Sequence, residues 1–234
     1  VEIHPIPEIE MNHTELMQSG RRKESYSIDY EKSALLVIDM VEGQVSSNSM
    51  LMQHYRGMNE TLPDWFLSQV KENAIPNIQR VLSSFRKNNG LIIHTTFCSS
   101  IKNNTDLPVM IQLGNMIYDR PMVASPESPD SAFIAELQPL ENEMVMRKSA
   151  CNAFEGTSLE KILRRNGIEA LVLVGVFTNM CVTGTARSAF DKGFDSLVIG
   201  DACGDMTPYL HESALASLEV LFADVCKFNQ ISNP

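Results

Sequence analysis

Short apolar runs alternate along this chain with longer amphipathic segments. The clearest apolar runs lie at 34–38, 91–93, 170–174 and 196–200. The amphipathic segments lie at 75–90, 181–192 and 208–222. A nearly continuous apolar run of this length is typical of a strand that is buried on both faces, as in a parallel sheet. Its alternation with helices predicts a three-layer α/β fold, in which helices cover both faces of a mostly parallel, doubly wound sheet.

The first 32 residues differ from the rest of the chain. They are polar, they lack a sustained hydrophobic period, and they include Pro5 and Pro7. We therefore predict an N-terminal arm over residues 1–32 and one α/β domain over residues 33–234. The arm is either a surface segment or a segment that wraps a neighbouring subunit.

Three chemically active side chains follow predicted strands. Asp39 comes after the first apolar run, Lys148 ends a strand pattern at 143–148, and Cys181 lies where a later run gives way to a helix. Because ligands bind at the carboxyl ends of parallel strands, we expect these side chains to meet at one edge of the sheet. An isolated cysteine at such a turn is more often an inert core residue, so the prediction depends on all three residues.

Together these residues predict a nucleophilic site. Lys148 would favour the thiolate of Cys181, and Asp39 would accept the thiol proton and later deliver it to a leaving amine. The backbone N–H groups at the start of the following helix would bind the oxyanion.

Composition narrows the possible partners. The net charge is −10 and no Lys/Arg cluster stands out, so nucleic acid and anionic membrane surfaces are poor partners. The chain shows neither a bilayer-length apolar run nor an N-terminal leader pattern. Five widely spaced cysteines without a CxxC pair predict reduced thiols in a cytoplasmic protein. Because no Gly-x-Gly-x-x-Gly or phosphate-loop pattern occurs, we expect no nucleotide cofactor.

Three motifs resemble the isochorismatase-like cysteine hydrolase superfamily. They are Leu35-Leu-Val-Ile-Asp39-Met40, Lys148-Ser-Ala-Cys-Asn-Ala-Phe154-Glu-Gly-Thr157 and Gly175-Val-Phe-Thr178-Asn-Met-Cys181-Val-x-x-Thr185-Ala186. The resemblance extends from about residue 33 to the C-terminus, and the cysteine block is its most specific part.

This resemblance implies a six-stranded parallel sheet and a catalytic triad of Asp39, Lys148 and Cys181. It also implies a cis peptide bond between Val176 and Phe177, which aims the backbone N–H groups of Phe177 and Cys181 at the oxyanion. No cofactor is implied.

Three residues are candidates for substrate binding, namely Phe154, Phe177 and Thr178. The alternative for Phe154 is packing in the core, and the alternative for Thr178 is that it braces the turn. The other four cysteines, Cys151 among them, are expected to be structural.

Two departures from the superfamily narrow the expected chemistry. Metal-dependent nicotinamidases carry an Asp-x-His motif soon after the first triad residue, but this chain has Met50-Leu-Met-Gln-His54 there, so we expect no metal. Isochorismatases that cleave a vinyl ether lack the nucleophilic cysteine, so Cys181 indicates amide chemistry. The arm and the Thr178-Asn179-x-Cys181 pattern resemble ureidoacrylate and biuret amidohydrolases.

We therefore predict an enzyme that hydrolyses a C–N bond in a small amide, ureido or carbamoyl compound through a thioester. Two alternatives stay open at this point. One is hydrolysis of a vinyl ether, and the other is a non-catalytic binding homologue. The resemblance also implies a homo-oligomer, either a dimer or a tetramer.

Overall fold

Six parallel strands form the centre of the computed structural model, which describes residues 23–101, 103–112, 125 and 127–233. The strands are β1 (Ser33–Ile38), β2 (Leu91–Phe97), β3 (Met144–Lys148), β4 (Ala170–Val176), β5 (Asp195–Gly204) and β6 (Asp224–Cys226). Their order is β3-β2-β1-β4-β5-β6, and every neighbouring pair is parallel. The predicted six-stranded, doubly wound sheet is confirmed.

Helices cover both faces of this sheet. They are α1 (Glu42–Val45), α2 (Met50–Met58), α3 (Asp64–Gln69), α4 (Ile75–Lys87), α5 (Leu159–Arg165), α6 (Thr183–Asp191) and α7 (Pro208–Leu221). One π-helical turn, Val70–Ala74, joins α3 to α4, and a second, Thr178–Val182, precedes α6. Short 3-10 turns lie at Pro129–Ser131, Ala135–Leu137 and Phe228–Gln230. None of the helices in the described residues is long and apolar enough to cross a membrane.

Strand β1 shows why both faces need a helical layer. Its residues alternate between the two sides of the sheet, and all of them are buried. Leu35 and Val37 belong to the cluster that includes Phe85 of α4, whereas Leu36 and Ile38 belong to the cluster that includes residues of α6. The apolar run is continuous because helices cover the strand on both faces of the sheet.

The described part of the predicted arm lies on the chain's own C-terminal segment. Tyr26 donates its N–H to the carbonyl of Gln230 at 2.8 Å and accepts the N–H of Ser232 at 2.8 Å. The N–H of Ile28 donates to Oδ1 of Asn233 at 3.0 Å, and the side chains of Tyr26 and Ile28 are buried. Residues 1–22 of the arm lie outside the described residues, and contact with a neighbouring subunit stays a prediction.

Residues 40–67 form short helices with breaks between them, namely α1, α2 and the start of α3. Strand β5 differs from the apolar pattern, because it extends beyond the run at 196–200 and through Asp201 to Gly204, with a register shift against β4. A polar residue is tolerated inside the strand because the carboxylate of Asp201 accepts the N–H of Phe228 at 2.8 Å.

Gly175 sits where β4 comes closest to β1. It has a φ of 114°, and a Cβ added there would lie 2.1 Å from the carbonyl oxygen of Ile38, its register partner. Both the backbone conformation and the close approach require glycine. The strands that lead to Asp39 and to the turn of Cys181 are therefore held close together next to the site.

We expect Gly175→Ala to lower the free energy of unfolding by about 3 kcal/mol or more, since it combines a left-handed φ with overpacking. Gly193→Ala is the matched control, because Gly193 also has a positive φ of 75° but has open space where a side-chain carbon would lie. Gly193→Ala should lower the free energy of unfolding by about 1 kcal/mol. Urea unfolding of both variants measures the difference, and equal losses would contradict the close-approach argument.

A buried ionic cluster joins α4, β2 and the start of β3. Arg86 of α4 donates to both carboxylate oxygens of Glu143, at 2.6 and 3.0 Å, and Nε2 of His94 lies 2.9 Å from Oε2 of Glu143. Burial raises the pKa of Glu143, but the hydrogen bonds from Arg86, from the N–H of Leu140 and from His94 prevail and lower it to about 2. His94 is thus a hydrogen-bonded core residue, which is the usual role of a single histidine inside a buried strand.

Glu143→Gln should lower the free energy of unfolding by about 2 kcal/mol near neutral pH, because it removes the charged partner of Arg86. The folded pKa lies below the ordinary value of 4.5, so this stabilisation is complete above pH 4.5 and is lost as the pH falls towards 2. Urea unfolding at a series of pH values should show the two proteins converging below pH 4.5. A difference that stays constant down to pH 3 would contradict this account.

Candidate active site

Asp39 stands at the carboxyl end of β1 and turns the chain away from the sheet. Its φ is 55°, in the left-handed region that Asp tolerates better than most residues, and only 1% of it is exposed. Its Oδ1 accepts the hydroxyl proton of Thr95 at 2.8 Å, and its N–H donates to the carbonyl of Thr95 at 3.2 Å. Strand β2 therefore holds both the backbone and the carboxylate of Asp39.

Lys148 is the last residue of β3, and its side chain is completely buried. Its Nζ lies 2.6 Å from Oδ2 of Asp39, 3.2 Å from Sγ of Cys181 and 3.1 Å from the carbonyl oxygen of Ala150. An ammonium group has three donors, and each has an acceptor here. Burial alone would lower the pKa of Lys148, but the charge of Asp39 and the hydrogen bonds to Asp39 and Cys181 prevail and raise it, which favours the ammonium form.

The nucleophile turn, residues 177–182, follows β4. The Val176–Phe177 peptide bond is cis, as the resemblance implies. A π-helical turn, Thr178–Val182, then leads into α6, and the N–H of Val182 donates to the carbonyl of Phe177 at 3.2 Å. This turn presents Cys181, which is 4% exposed, to Lys148. Single π-helical turns of this kind are frequent at functional sites.

Buried polar groups hold the backbone of the nucleophile turn in place. The hydroxyl of Thr178 donates to the carbonyl of Gly204 at 3.0 Å and lies 2.8 Å from Nδ1 of His211. Because the hydroxyl has only one proton, we assign a proton to Nδ1 of His211, which donates it to Thr178. Asp205 accepts the N–H of Asn179 at 2.6 Å.

The three candidate substrate-binding residues lie in different surroundings. Thr178 is fully buried beneath the turn, which favours the bracing alternative. The ring of Phe177 packs on Phe66 with centroids 4.9 Å apart. Phe154 belongs to the same buried cluster as Cys181 and stacks on Phe194 at 6.0 Å. Contact of these residues with substrate stays a prediction.

Cys151 does not match its expected structural role. It is exposed, and it lies close enough to Cys181 for each thiol to shift the pKa of the other. This contact and the charge of Lys148 lower the pKa of Cys151 to about 6. The same contact, burial and the charge of Asp39 raise the pKa of Cys181 well above its ordinary value, against the opposing effect of Lys148. The local contacts therefore favour a protonated Cys181 at rest, not the thiolate that the sequence suggests.

Sequence reasoning missed three residues that support the site, namely Thr95, Asp205 and Cys151. Only Cys151 had a signal in the sequence, because it lies inside the motif that begins at Lys148. Thr95 and Asp205 are ordinary polar residues near strand ends, and their roles depend on contacts between distant parts of the chain.

The described residues bring together a thiol, an ammonium and a carboxylate, which are the groups that nucleophilic attack on a carbonyl carbon requires. Asp39 and Cys181 share Lys148 as a common neighbour. Within the described parts of the chain, no group of three or more His, Cys, Asp or Glu residues is arranged to hold a metal ion.

Comparisons with known proteins identify related sequences. A family model described as the isochorismatase domain matches residues 33–230. Ureidoacrylate amidohydrolase of Methylobacterium radiotolerans is 36% identical over 103 residues, which cover 42% of this chain and 40% of that protein. Maleamate amidohydrolase of Pseudomonas putida is 26% identical over 194 residues, which cover 83% of this chain and 82% of that protein.

The fold also matches solved structures. An isochorismatase family protein from Desulfovibrio vulgaris superposes with a TM-score of 0.72 at 22% identity, over 85% of this chain and 95% of that chain. At this level of identity the match shows a shared fold.

Lys148→Met should lower the free energy of unfolding by about 3–5 kcal/mol, because it leaves the carboxylate of Asp39 buried without its cation. The double variant Asp39→Asn/Lys148→Met should lose less than the sum of the single losses, by about 1–3 kcal/mol. Lys32→Met is the control, because Lys32 pairs with Glu169 in solvent, with side chains 55% and 66% exposed. Lys32→Met should leave the free energy of unfolding nearly unchanged, because solvent screens the exposed pair. Additive losses in the urea-unfolding cycle would show that the buried pair is not coupled.

Proposed function

Because this chain belongs to the isochorismatase family, we propose that it is a cysteine-dependent hydrolase that cleaves a C–N bond in a small amide, ureido or carbamoyl compound. One observation carries the proposal. The buried ammonium of Lys148 lies between the carboxylate of Asp39 and the sulfur of Cys181, at 2.6 and 3.2 Å. This arrangement puts a proton acceptor, a fixed positive charge and a nucleophile in contact.

The first half of the reaction forms a thioester. The sulfur of Cys181 attacks the carbonyl carbon while its proton passes to Asp39. The tetrahedral adduct then expels ammonia or an amine, and the departing nitrogen takes the proton from Asp39. A protonated Cys181 at rest suits this sequence, because Asp39 has a proton to collect at the moment of attack.

In the second half of the reaction, a water molecule hydrolyses the thioester. Asp39 accepts a proton from a water molecule that attacks the thioester carbon, the C–S bond breaks, and the acid product leaves with Cys181 protonated again. The net change is hydrolysis of one C–N bond by one water molecule. Lys148 keeps its charge throughout and holds both Asp39 and Cys181 in place.

The oxyanion of the tetrahedral adduct needs hydrogen-bond donors. We assign this role to the backbone N–H groups of Phe177 and Cys181, which flank the nucleophile turn. Phe154, Phe177 and Thr178 stay the proposed substrate-binding residues, with Thr178 acting through the position of the turn. The braces on Thr178 and Asn179 support this assignment, since an oxyanion hole requires a rigid backbone.

The names of two relatives support the proposal that a C–N bond is cleaved. Two of them are named as amidohydrolases, one of ureidoacrylate and one of maleamate, and both names specify attack on an amide-type carbon. Cys181 gives this chain a nucleophile suited to that carbon. The substrate class is therefore proposed as small amide, ureido and carbamoyl compounds.

A panel of ureido, carbamoyl and carboxamide compounds should include substrates that release ammonia or an amine with the purified protein. Cys181→Ser should lower kcat/KM by at least about 1,000-fold, because it removes the nucleophile. Cys226→Ala is the matched control, since Cys226 is a buried cysteine on the edge strand β6, and it should leave the rate unchanged. Acid-quenched samples should carry the acyl group on the tryptic peptide that contains Cys181.

Two results would contradict the proposal. Hydrolysis of a vinyl ether that persists in Cys181→Ala would favour the isochorismatase-type reaction. Binding without turnover or acylation across the whole panel would favour a non-catalytic homologue.

A further inference from the structure

We propose that Cys151 is an oxidation site: a hydroperoxide oxidises its thiol, and the product is resolved by Cys181 as a disulfide that closes the active site. The formation of this bond is independent of the proposed function. Only its consequence, the reversible loss of activity, rests on the role proposed for Cys181.

The first support is the geometry around Lys148. Its Nζ donates to Sγ of Cys181 at 3.2 Å and to the carbonyl of Ala150, the residue before Cys151, at 3.1 Å. Cys151 and Cys181 come from different elements, a loop after β3 and the nucleophile turn, and one buried ammonium holds these two segments together. Each thiol also shifts the pKa of the other, which agrees with two thiols that lie side by side.

The second support is the anchoring of the loop that carries Cys151. The side-chain amide of Asn152 donates to the hydroxyl of Ser188 at 2.7 Å, and the N–H of Ala153 donates to the hydroxyl of Thr185 at 3.1 Å. Both acceptors lie on α6, the helix that begins directly after the nucleophile turn. The loop and the nucleophile are thus fixed to the same helix.

The third support is the difference in access between the cysteines. Cys151 is exposed, whereas Cys98, Cys203 and Cys226 are buried, and burial raises the pKa of each of these three. The lowered pKa of Cys151 agrees with a thiolate at neutral pH, which is the form that reacts with peroxides. An oxidant from solvent therefore meets Cys151 first and the buried Cys181 second.

The chemistry balances with a hydroperoxide as the two-electron oxidant. The thiolate of Cys151 attacks the terminal peroxide oxygen, the O–O bond breaks, and the other oxygen leaves as an alcohol, or as water from hydrogen peroxide, after taking up a proton. Cys151 is then a sulfenic acid. The sulfur of Cys181, with its proton passed to Asp39, attacks the sulfur of Cys151; the S–O bond breaks and water leaves with that proton. Two thiols and one hydroperoxide give one disulfide, one alcohol and one water.

The disulfide would have a defined effect on the active site. It occupies the sulfur that attacks the substrate, so hydrolysis stops. It also protects Cys181 from further oxidation to sulfinic acid, which a thiol reductant does not reverse. Reduction of the disulfide would restore the thiol.

The test uses the full chain, fully reduced, and hydrogen peroxide added near stoichiometric amounts. Free thiols should fall from five to three, and non-reducing tryptic digestion should give one linked species of peptides 149–161 and 166–187, each of which contains a single cysteine. Cys151→Ser should give no linked species, whereas Cys226→Ala should still give it.

Peptide mapping separates this inference from the proposed function. Thiol loss without the 149–161 to 166–187 link, or a link from Cys181 to any other cysteine, would overturn the inference. If the link forms and no amide is hydrolysed, the inference stands and the proposed function fails. Where an amide is hydrolysed, this peroxide dose should inactivate wild type, and dithiothreitol should restore its activity, whereas Cys151→Ser should keep its own untreated activity because Cys181 is buried. Equal loss of activity in both proteins would overturn the inference.

Discussion

The buried ammonium of Lys148 is the interaction on which the candidate site depends. A lysine without solvent contact is costly to bury, and it is tolerated only where acceptors replace its water shell. The strand order explains why a long side chain is needed, because β2 lies between β3, which carries Lys148, and β1, which carries Asp39. The side chain crosses its register partner Phe97, with Nζ 4.6 Å from the ring centroid, to reach Asp39. One cation thereby connects the ends of β1 and β3 and the turn after β4.

The backbone around this cation is shaped to bring the groups together. At the end of β1 the chain turns through the left-handed conformation of Asp39, and beside it Gly175 lets β4 approach β1 more closely than a side chain would allow. Such conformations persist only where surrounding contacts fix them. Here Thr95 fixes Asp39, and the braces on Thr178 and Asn179 fix the nucleophile turn. The departures from regular structure concentrate at the carboxyl edge of the sheet, which is also where the reactive groups lie.

The sequence was sufficient for the sheet and for the proximity of Asp39, Lys148 and Cys181, because both depend on local patterns. A continuous apolar run predicts a doubly covered strand, and a reactive residue after such a run predicts its position at the sheet edge. The sequence was insufficient where the outcome depends on contacts between distant segments. The apolar pattern suggests that a strand ends before Asp201, but the N–H of Phe228 satisfies the carboxylate and the strand continues. The sequence likewise suggests that Cys151 is structural, and only the fold shows that the loop after β3 lies beside the nucleophile turn.

The charges in the buried site suggest different roles for Lys148, Asp39 and Cys181. The pKa of Lys148 is raised and its ammonium group has three acceptors, so Lys148 keeps its charge in the proposed hydrolysis, which starts and ends with a protonated Cys181. In that proposal the proton that leaves Cys181 goes to Asp39, the carboxylate bound to the same ammonium. Because Cys151 also touches the sulfur, the site holds a second thiol that competes for that proton at rest. The same contact that raises the pKa of Cys181 thus places a second thiol beside it, so the proposed hydrolysis and the proposed oxidation depend on one structural feature.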